Sequence, residues 1–253
     1  MAVQEASTIE ENTLLSEVVD RIAWITFNNP ARMNAMSQEM WDNSSALLDK
    51  YAKDDSVRAI VLKGAGNKAF VAGADISKFE SERSSAEAVD HYNATTKRVY
   101  DMVEAFPKPT IAQITGYCIG GGMGLAVCCD IRLCEDKSRF AVPAARLGLG
   151  YGFDGVSRLS ALVGPSMVKE IFFTARQFAA QEAYDMGLVN RVLPGHMLEA
   201  YVADYAKRIA ENAPMTMASV KAITADIQKA ETERDRAHID ALVKACFDSE
   251  DYI

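Results

Sequence analysis

The chain has 253 residues, 49% hydrophobic and 25% charged, with 27 basic and 35 acidic side chains giving a net charge of −8. That length and composition describe one large folded domain, or a domain with an appendage, whose core needs neither disulfides nor a metal for support. The negative balance excludes a nucleic-acid partner, which requires a basic footprint, and it obliges any polyanionic ligand to find a local patch of positive charge.

Leu14 to Phe27 alternates as two strands with Asp20-Arg21 as the turn, and Asn28-Asn29-Pro30 ends the second strand. Ser37 is an N-cap for a helix to about Tyr51, closed by Asp54-Asp55, and Arg58 to Lys63 reads as a buried strand. Lys68 to Ile76 is a stretch of small residues leading into a helix start. Ser81 to Ser85 suits a flexible loop within a polar helical segment from Phe79 to Ala105. Phe106-Pro107-Lys108-Pro109 stops that helix. A β-branched run begins at Thr110 and stops at Gly116, and Gly120-Gly121-Gly122 then opens an apolar run that reads as a buried helix. Asp130 to Phe140 reads as strand, turn, strand. Helices follow from about Val156 to Leu162, from Ser166 to Phe173 and from Gln181 to Met186, with Gly187 as C-cap. A short strand spans Val189 to Leu193. After the Pro194-Gly195 turn, His196 to about Phe247 is helical, broken at Ala213-Pro214. The alternation of strands and helices predicts an α/β fold.

Cys118, Cys128, Cys129, Cys134 and Cys246 form no CxxC pair and stand near no histidine at ligand spacing, so no metal site is expected. Free thiols in an apolar region fit a reduced, cytoplasmic setting. The polar, acidic N-terminus is no signal peptide, and no apolar run reaches the ~20 residues that span a membrane.

The stretch from Ile114 to Ala126 is the chemical centre of the sequence. Glycine lets a backbone approach a ligand closely, and a helix starting there presents free N–H groups and the positive end of its dipole. Such a start can hold an oxygen that becomes negative during a reaction, or it can be a tight turn that only permits packing. Ala72-Gly73-Ala74-Asp75-Ile76 offers a second set of backbone N–H groups. Together the two stretches closely resemble the crotonase (enoyl-CoA hydratase/isomerase) superfamily. The family's AGAD(I/L) segment matches Ala72 to Ile76, and its GY..GGG segment matches Gly116 to Gly122. Asn29 to Met36 is similar to its NRP...NAL segment, and Ala183 to Asn190 to its A...GLV segment.

The resemblance implies the ClpP/crotonase-like ββα superhelix over 1–195, with a C-terminal helical trimerisation region over 196–253. It implies an acyl-CoA substrate, no cofactor besides that coenzyme A, and self-association as a trimer or dimer of trimers. The backbone N–H groups of Ala74 and Gly121 become the oxyanion hole. Arg32, Ala35, Ala72, Gly73, Asp75, Ile76, Gly120 and Ala144 become substrate-binding positions, and Arg32 and Lys78 either meet the phosphates or are plain surface charge. Asp75 either caps a helix beginning at Ile76 or takes part in catalysis.

Family hydratases also use two glutamates as acid and base, and the matching positions here are Gly124 and Ala144. Neither can transfer a proton. Asp154 is the acid nearest to hand, in the loop Gly150 to Gly155, unless it only caps the following helix. Tyr151 offers a hydrogen bond and Arg146 a carboxylate contact, whereas His91, His196 and His238 carry no motif. The expected activity is therefore that of an enoyl-CoA hydratase/isomerase-family protein stabilising an enolate or oxyanion without the two-glutamate hydration. The alternatives are an acyl-CoA decarboxylase or thioester hydrolase, and a non-catalytic acyl-CoA-binding protein.

Overall fold

The structure, a computed structural model, describes residues 13–75 and 85–252. Strands β1 (Leu14–Val19) and β2 (Ile22–Phe27) form an antiparallel hairpin. Its turn residues Asp20 (φ 50°) and Arg21 (φ 65°) are both left-handed, the geometry whose twist matches two paired strands. From β2 onward the large sheet is parallel. It continues through β3 (Ala59–Gly64), β5 (Thr110–Ile114), β7 (Ile131–Glu135) and β10 (Arg191–Leu193), in the order β1-β2-β3-β5-β7-β10. A second sheet contains β4 (Ala69–Val71), β6 (Tyr117–Ile119), β8 (Arg139–Ala141) and β9 (Phe178–Ala179), in the order β4-β6-β8-β9. Three times in succession the chain lays a strand in the large sheet and then one in the small sheet: β3 and β4, β5 and β6, β7 and β8. This is the mixed α/β architecture expected from the sequence.

The helices, in chain order, are α1 (Gln38–Lys53), α2 (Ala86–Glu104), α3 (Gly121–Cys128), α4 (Ala144–Leu147), α5 (Phe153–Thr174), α6 (Ala180–Asp185), α7 (Gly195–Glu211), α8 (Pro214–Ile227) and α9 (Arg236–Phe247). Ser37 caps α1 as its sequence position predicts, accepting from the Met40 N–H at 3.3 Å. Ser85 caps α2, accepting from the Ala88 N–H at 3.2 Å.

The central strands of the large sheet, β2, β3, β5 and β7, are largely buried on both faces, so they read as mainly apolar runs, whereas β1 at the edge is mostly exposed. One face carries Ala23, Ile25, Phe27, Ile60 and Leu62 into the main core with Met40, Trp41 and Leu48 of α1 and Val99 and Val103 of α2. The other face packs Ile22, Trp24, Val61, Ile111 and Leu133 against Leu198, Val202, Ala206 and Ala210, the four-residue stripe of α7. Each large side chain so buried contributes roughly 1.5–3 kcal/mol. Among the described residues, no helix is long and apolar enough to cross a membrane.

The structure revises three local expectations and bears out a fourth. Ala69–Val71 is a strand, although the sequence reads there as a run into a helix. The run from Thr110 is interrupted by Gly116 (φ 60°), so it supplies one strand to each sheet. The two helices expected around Val156–Phe173 are present, separated within α5 by the non-helical backbone of Gly164 (φ 76°), with Pro165 next. The C-terminal region breaks a second time, between Ile227 and Arg236, where Asp235 caps α9 by accepting from the His238 N–H at 2.9 Å.

Candidate active site

The two glycine-bearing stretches meet edge to edge. A methyl group placed on Gly121 would stand 3.9 Å from the Gly73 Cα, and one on Gly120 4.0 Å from the same atom. Gly120 takes φ 55° and ψ −115°, a backbone that side-chain-bearing residues rarely adopt. Gly122 is required for a different reason: a methyl group there would be 2.0 Å from the Val71 carbonyl oxygen. Helix α3 therefore seats its first turn directly on β4.

The Ala72–Asp75 segment is fixed from its other side by the loop 29–36. The Ala72 N–H donates to the Met33 carbonyl at 3.1 Å, the Met36 N–H to the Gly73 carbonyl at 2.8 Å, and the Asp75 N–H to the Met36 carbonyl at 2.9 Å. Asn34, 1% exposed and left-handed at φ 56°, anchors that loop. Its amide donates to the carbonyls of Ala65 at 3.0 Å and Ala69 at 2.7 Å, and its side-chain oxygen accepts from the Asn29 N–H at 3.0 Å. The Asn29 amide reaches the Ala35 carbonyl at 3.2 Å and the Asp75 carboxylate at 3.4 Å. After this bonding, the N–H groups of Ala74 and Gly121 have no hydrogen-bond acceptor among the described residues. They belong to the two facing segments, and Gly121 opens α3, where the helix dipole is positive.

The remaining sequence-predicted residues divide into those near this seam and those away from it. Ala35 and Asp75 are buried and Ala72, Gly73 and Gly120 lie in the two segments, while Arg32 is exposed in a short turn at Pro30–Arg32. Ala144 is buried at the start of α4, with Arg146 exposed on the same short helix. Ile76, Lys78 and the helix start after Asp75 lie outside the described residues. Asp154 does not cap α5, whose N-cap is Gly152; it sits in the first turn, half exposed, and pairs with Lys97 of α2 at 3.0 Å.

That pair belongs to a set of charges joining α2 to α5. Arg158 contacts the Asp101 carboxylate at 2.6 Å and the Glu104 carboxylate at 2.7 Å, and Lys97 contacts Asp101 at 2.7 Å. Burial pushes the Asp101 carboxyl up, but hydrogen bonds from Lys97 and Arg158 bring it below its usual value. Burial likewise pulls the Arg158 guanidinium down, and its bonds to Glu104 and Asp101 leave it more basic than usual.

Tyr100, on the α2 face bounded by Lys97, Asp101 and Glu104, is a residue of this site that sequence reasoning passed over. Its hydroxyl donates to the Gly121 carbonyl at 2.9 Å, and its ring meets Trp41 edge-on at 5.5 Å. A methyl group on Gly124 would be 2.9 Å from the Tyr100 hydroxyl and 3.1 Å from its Cζ. The helical spacing of Val99, Met102 and Val103 marks α2 as a core helix, and Tyr100 disappears into that pattern. The one signal was a glycine at 124 that required something else to fill the space.

A cavity of about 1150 Å³ opens on the α7 face of the large sheet, beside Trp24, Lys63, Gln113, Glu135 and His196. It touches neither Ala74 nor Gly121, so it is separate from this site. No cluster of histidine, cysteine and carboxylate groups suited to a metal occurs among the described residues.

Comparison with known proteins identifies the family. A family model described as enoyl-CoA hydratase/isomerase matches residues 17–252. The short-chain-enoyl-CoA hydratase of Clostridium acetobutylicum is 36% identical over 209 residues, covering 83% of this chain and 79% of that protein. The crotonyl-CoA hydratase of Syntrophomonas wolfei is 36% identical over 227 residues, covering 90% and 85%. The crystal structure of an enoyl-CoA hydratase/carnitine racemase from Magnetospirillum magneticum superposes with a TM-score of 0.90 at 35% identity, over 96% of this chain and 90% of that one. With the family matched from the β1 strand to the end of the described residues, the chain belongs to the enoyl-CoA hydratase/isomerase family of the crotonase superfamily.

Proposed function

We propose that this protein acts on an acyl-CoA thioester whose carbonyl oxygen is held by the N–H groups of Ala74 and Gly121 while negative charge builds on it. One observation carries the reading: two N–H groups without acceptors among the described residues, on neighbouring segments, one of them at a helix N-terminus. Each such preorganised donor is worth ~2.7–4 kcal/mol to the transition state. Arg32, Ala35, Ala72, Gly73, Asp75, Ile76, Gly120 and Ala144 line the path of the coenzyme A and the acyl group in this reading. No cofactor beyond the substrate's own coenzyme A is needed.

The wall around these donors favours chemistry without a carboxylate base. Positions 124 and 144 hold Gly and Ala, and the Asp154 carboxylate is engaged by Lys97. Decarboxylation fits best, because loss of carbon dioxide delivers the enolate directly and no base has to remove a proton. Mass-spectrometric turnover of methylmalonyl-CoA and crotonyl-CoA, with Asp154→Asn alongside, tests this. Propionyl-CoA from the first substrate, unaffected by the substitution, is the expected result. Formation of 3-hydroxybutyryl-CoA that the substitution abolishes would instead make Asp154 the acid of a relocated hydratase. Free coenzyme A thiol would mark a hydrolase, and coenzyme A binding without any product a binding protein.

We also propose that the chain assembles as a trimer or dimer of trimers through its C-terminal helical region, 196–253. Phe247, Val220 and Ile227 expose 58%, 54% and 57% of their surface there, and Phe173 of α5 exposes 77%. Such apolar surface is what a subunit interface covers. Light scattering on the eluting protein should give three or six chain masses; a monomer would sink the proposal.

A further inference from the structure

We propose that Tyr100 is the proton donor of this site, delivering its hydroxyl proton to the α-carbon of the bound enolate from the space that a side chain at 124 would otherwise fill. The assignment rests on the acyl-CoA reading above. Its ground is placement. The phenol is held against the backbone of Gly121, the same residue whose N–H is to hold the thioester oxygen, and the enolate α-carbon is bonded to the carbon bearing that oxygen. The hydroxyl donates to the Gly121 carbonyl at 2.9 Å in the present structure, and a phenol is a rotor that can turn its proton to a new acceptor.

Three further features hold it there. The Trp41 ring backs it edge-on at 5.5 Å. Arg158 ties Asp101, the next residue of α2, and Glu104, one turn on, to α5. Gly124 leaves the room: its missing side chain is where the phenol stands, 2.9 Å from a methyl group that would be there. Two proton-bearing side chains contact the Gly121–Gly124 turn: the Cys128 thiol donates to the Gly124 carbonyl at 3.1 Å from within α3 itself, and the Tyr100 phenol donates to the Gly121 carbonyl at 2.9 Å from across the packing seam.

The chemistry balances without an added reagent. In decarboxylation the bond between the α-carbon and the carboxylate breaks, its electron pair passes into the enolate held by Ala74 and Gly121, and carbon dioxide leaves. The Tyr100 O–H bond then breaks as the α-carbon–hydrogen bond forms, and the phenolate recovers a proton from water. Burial, with the nearby Tyr151, Cys128 and Tyr92 adding to it, holds the Tyr100 phenol well above its usual range. It therefore waits in the protonated form at neutral pH, as a donor must, and it cannot serve as the base.

The test is the handedness of the product. Methylmalonyl-CoA and crotonyl-CoA are turned over in deuterium oxide by wild type, Tyr100→Phe and Gly124→Ala. Wild type is expected to set one deuterium at the α-carbon with a single configuration. Tyr100→Phe should lower kcat by roughly 10²-fold with KM nearly unchanged, and should scramble that configuration. Gly124→Ala keeps the phenol but displaces it, and should scramble it too, so the result does not hang on one variant's folding. If both variants keep one configuration at the wild-type rate, the donor is another group, Tyr100 is not catalytic, and the two backbone donors stand. If wild type turns over neither thioester, the enolate reading falls and Tyr100 falls with it.

Discussion

At the scale of single residues, the site is held by groups that do no chemistry. Asn34 closes three hydrogen bonds between the loop 29–36 and its neighbours and is 1% exposed. Asn34→Ala strands two buried carbonyls and an N–H, and should lower unfolding free energy by ~1–3 kcal/mol in denaturant titrations. It should also weaken turnover, because Ala72–Asp75 hangs on that loop. Gly122→Ala acts from the other segment. Its methyl group would overlap the Val71 carbonyl oxygen at 2.0 Å, so α3 must lift from β4 and carry the Gly121 N–H with it. A loss of ~1–3 kcal/mol is expected, together with activity lost out of proportion to stability; wild-type kcat/KM in a folded Gly122→Ala protein would remove Gly121 from the mechanism. The two glycine-bearing segments were legible in the sequence through their resemblance to the family's motifs, since glycine spacing alone also fits a tight turn. Asn34 and Tyr100 were not, since a buried polar contact between positions 31 or 21 residues apart leaves no local pattern.

At the scale of elements, the large sheet was readable and the small one only at β8, the second strand of the Asp130 to Phe140 reading. Strands of five or six apolar residues announce themselves, whereas Ala69–Val71 and Tyr117–Ile119 are three residues long and carry no period. They exist as strands because parallel partners lie beside them, at Tyr117 and Cys118 for β4 and at Arg139 to Ala141 for β6. The ion pairs between α2 and α5 were invisible for the same reason, and they join the helix that carries Tyr100 to α5. Arg158 is 11% exposed and holds two carboxylates that are 44% and 51% exposed. Arg158→Met should therefore cost only on the order of 1 kcal/mol in stability, the range of partly solvated pairs. Its effect on catalysis should be larger, with the product configuration partly scrambled as α2 shifts against α5. A variant of wild-type stereochemistry would show that Trp41 and the Gly121 carbonyl suffice to position the phenol.

At the scale of the whole molecule, five acidic protons are locked into the fold. Burial pushes the Cys128 and Cys134 thiols from 9.0 to about 12, and pushes Cys118, Cys129 and the Tyr100 phenol upward as well. Below pH 9 the folded and unfolded chains both keep these thiol protons, so the thiols give stability no slope with pH. Above it the unfolded chain releases them while the folded chain retains them. The unfolded state then binds fewer protons, and unfolding free energy falls as pH rises, by up to ~1.4 kcal/mol per pH unit for each group. Thermal midpoints should accordingly be level between pH 7 and 8 and drop with increasing steepness from pH 9 to 11. Raised lysine and arginine groups on the surface pairs lose stability over an alkaline range too, so the comparison that isolates the thiols is wild type against Cys128→Ala/Cys134→Ala. The double variant starts less stable, because it leaves cavities, but its curve should fall less between pH 9 and 11. Parallel curves would mean that the folded chain ionises those thiols as readily as the unfolded one, and that the core around α3, on which the Gly121 donor stands, opens to solvent far more often than its packing implies.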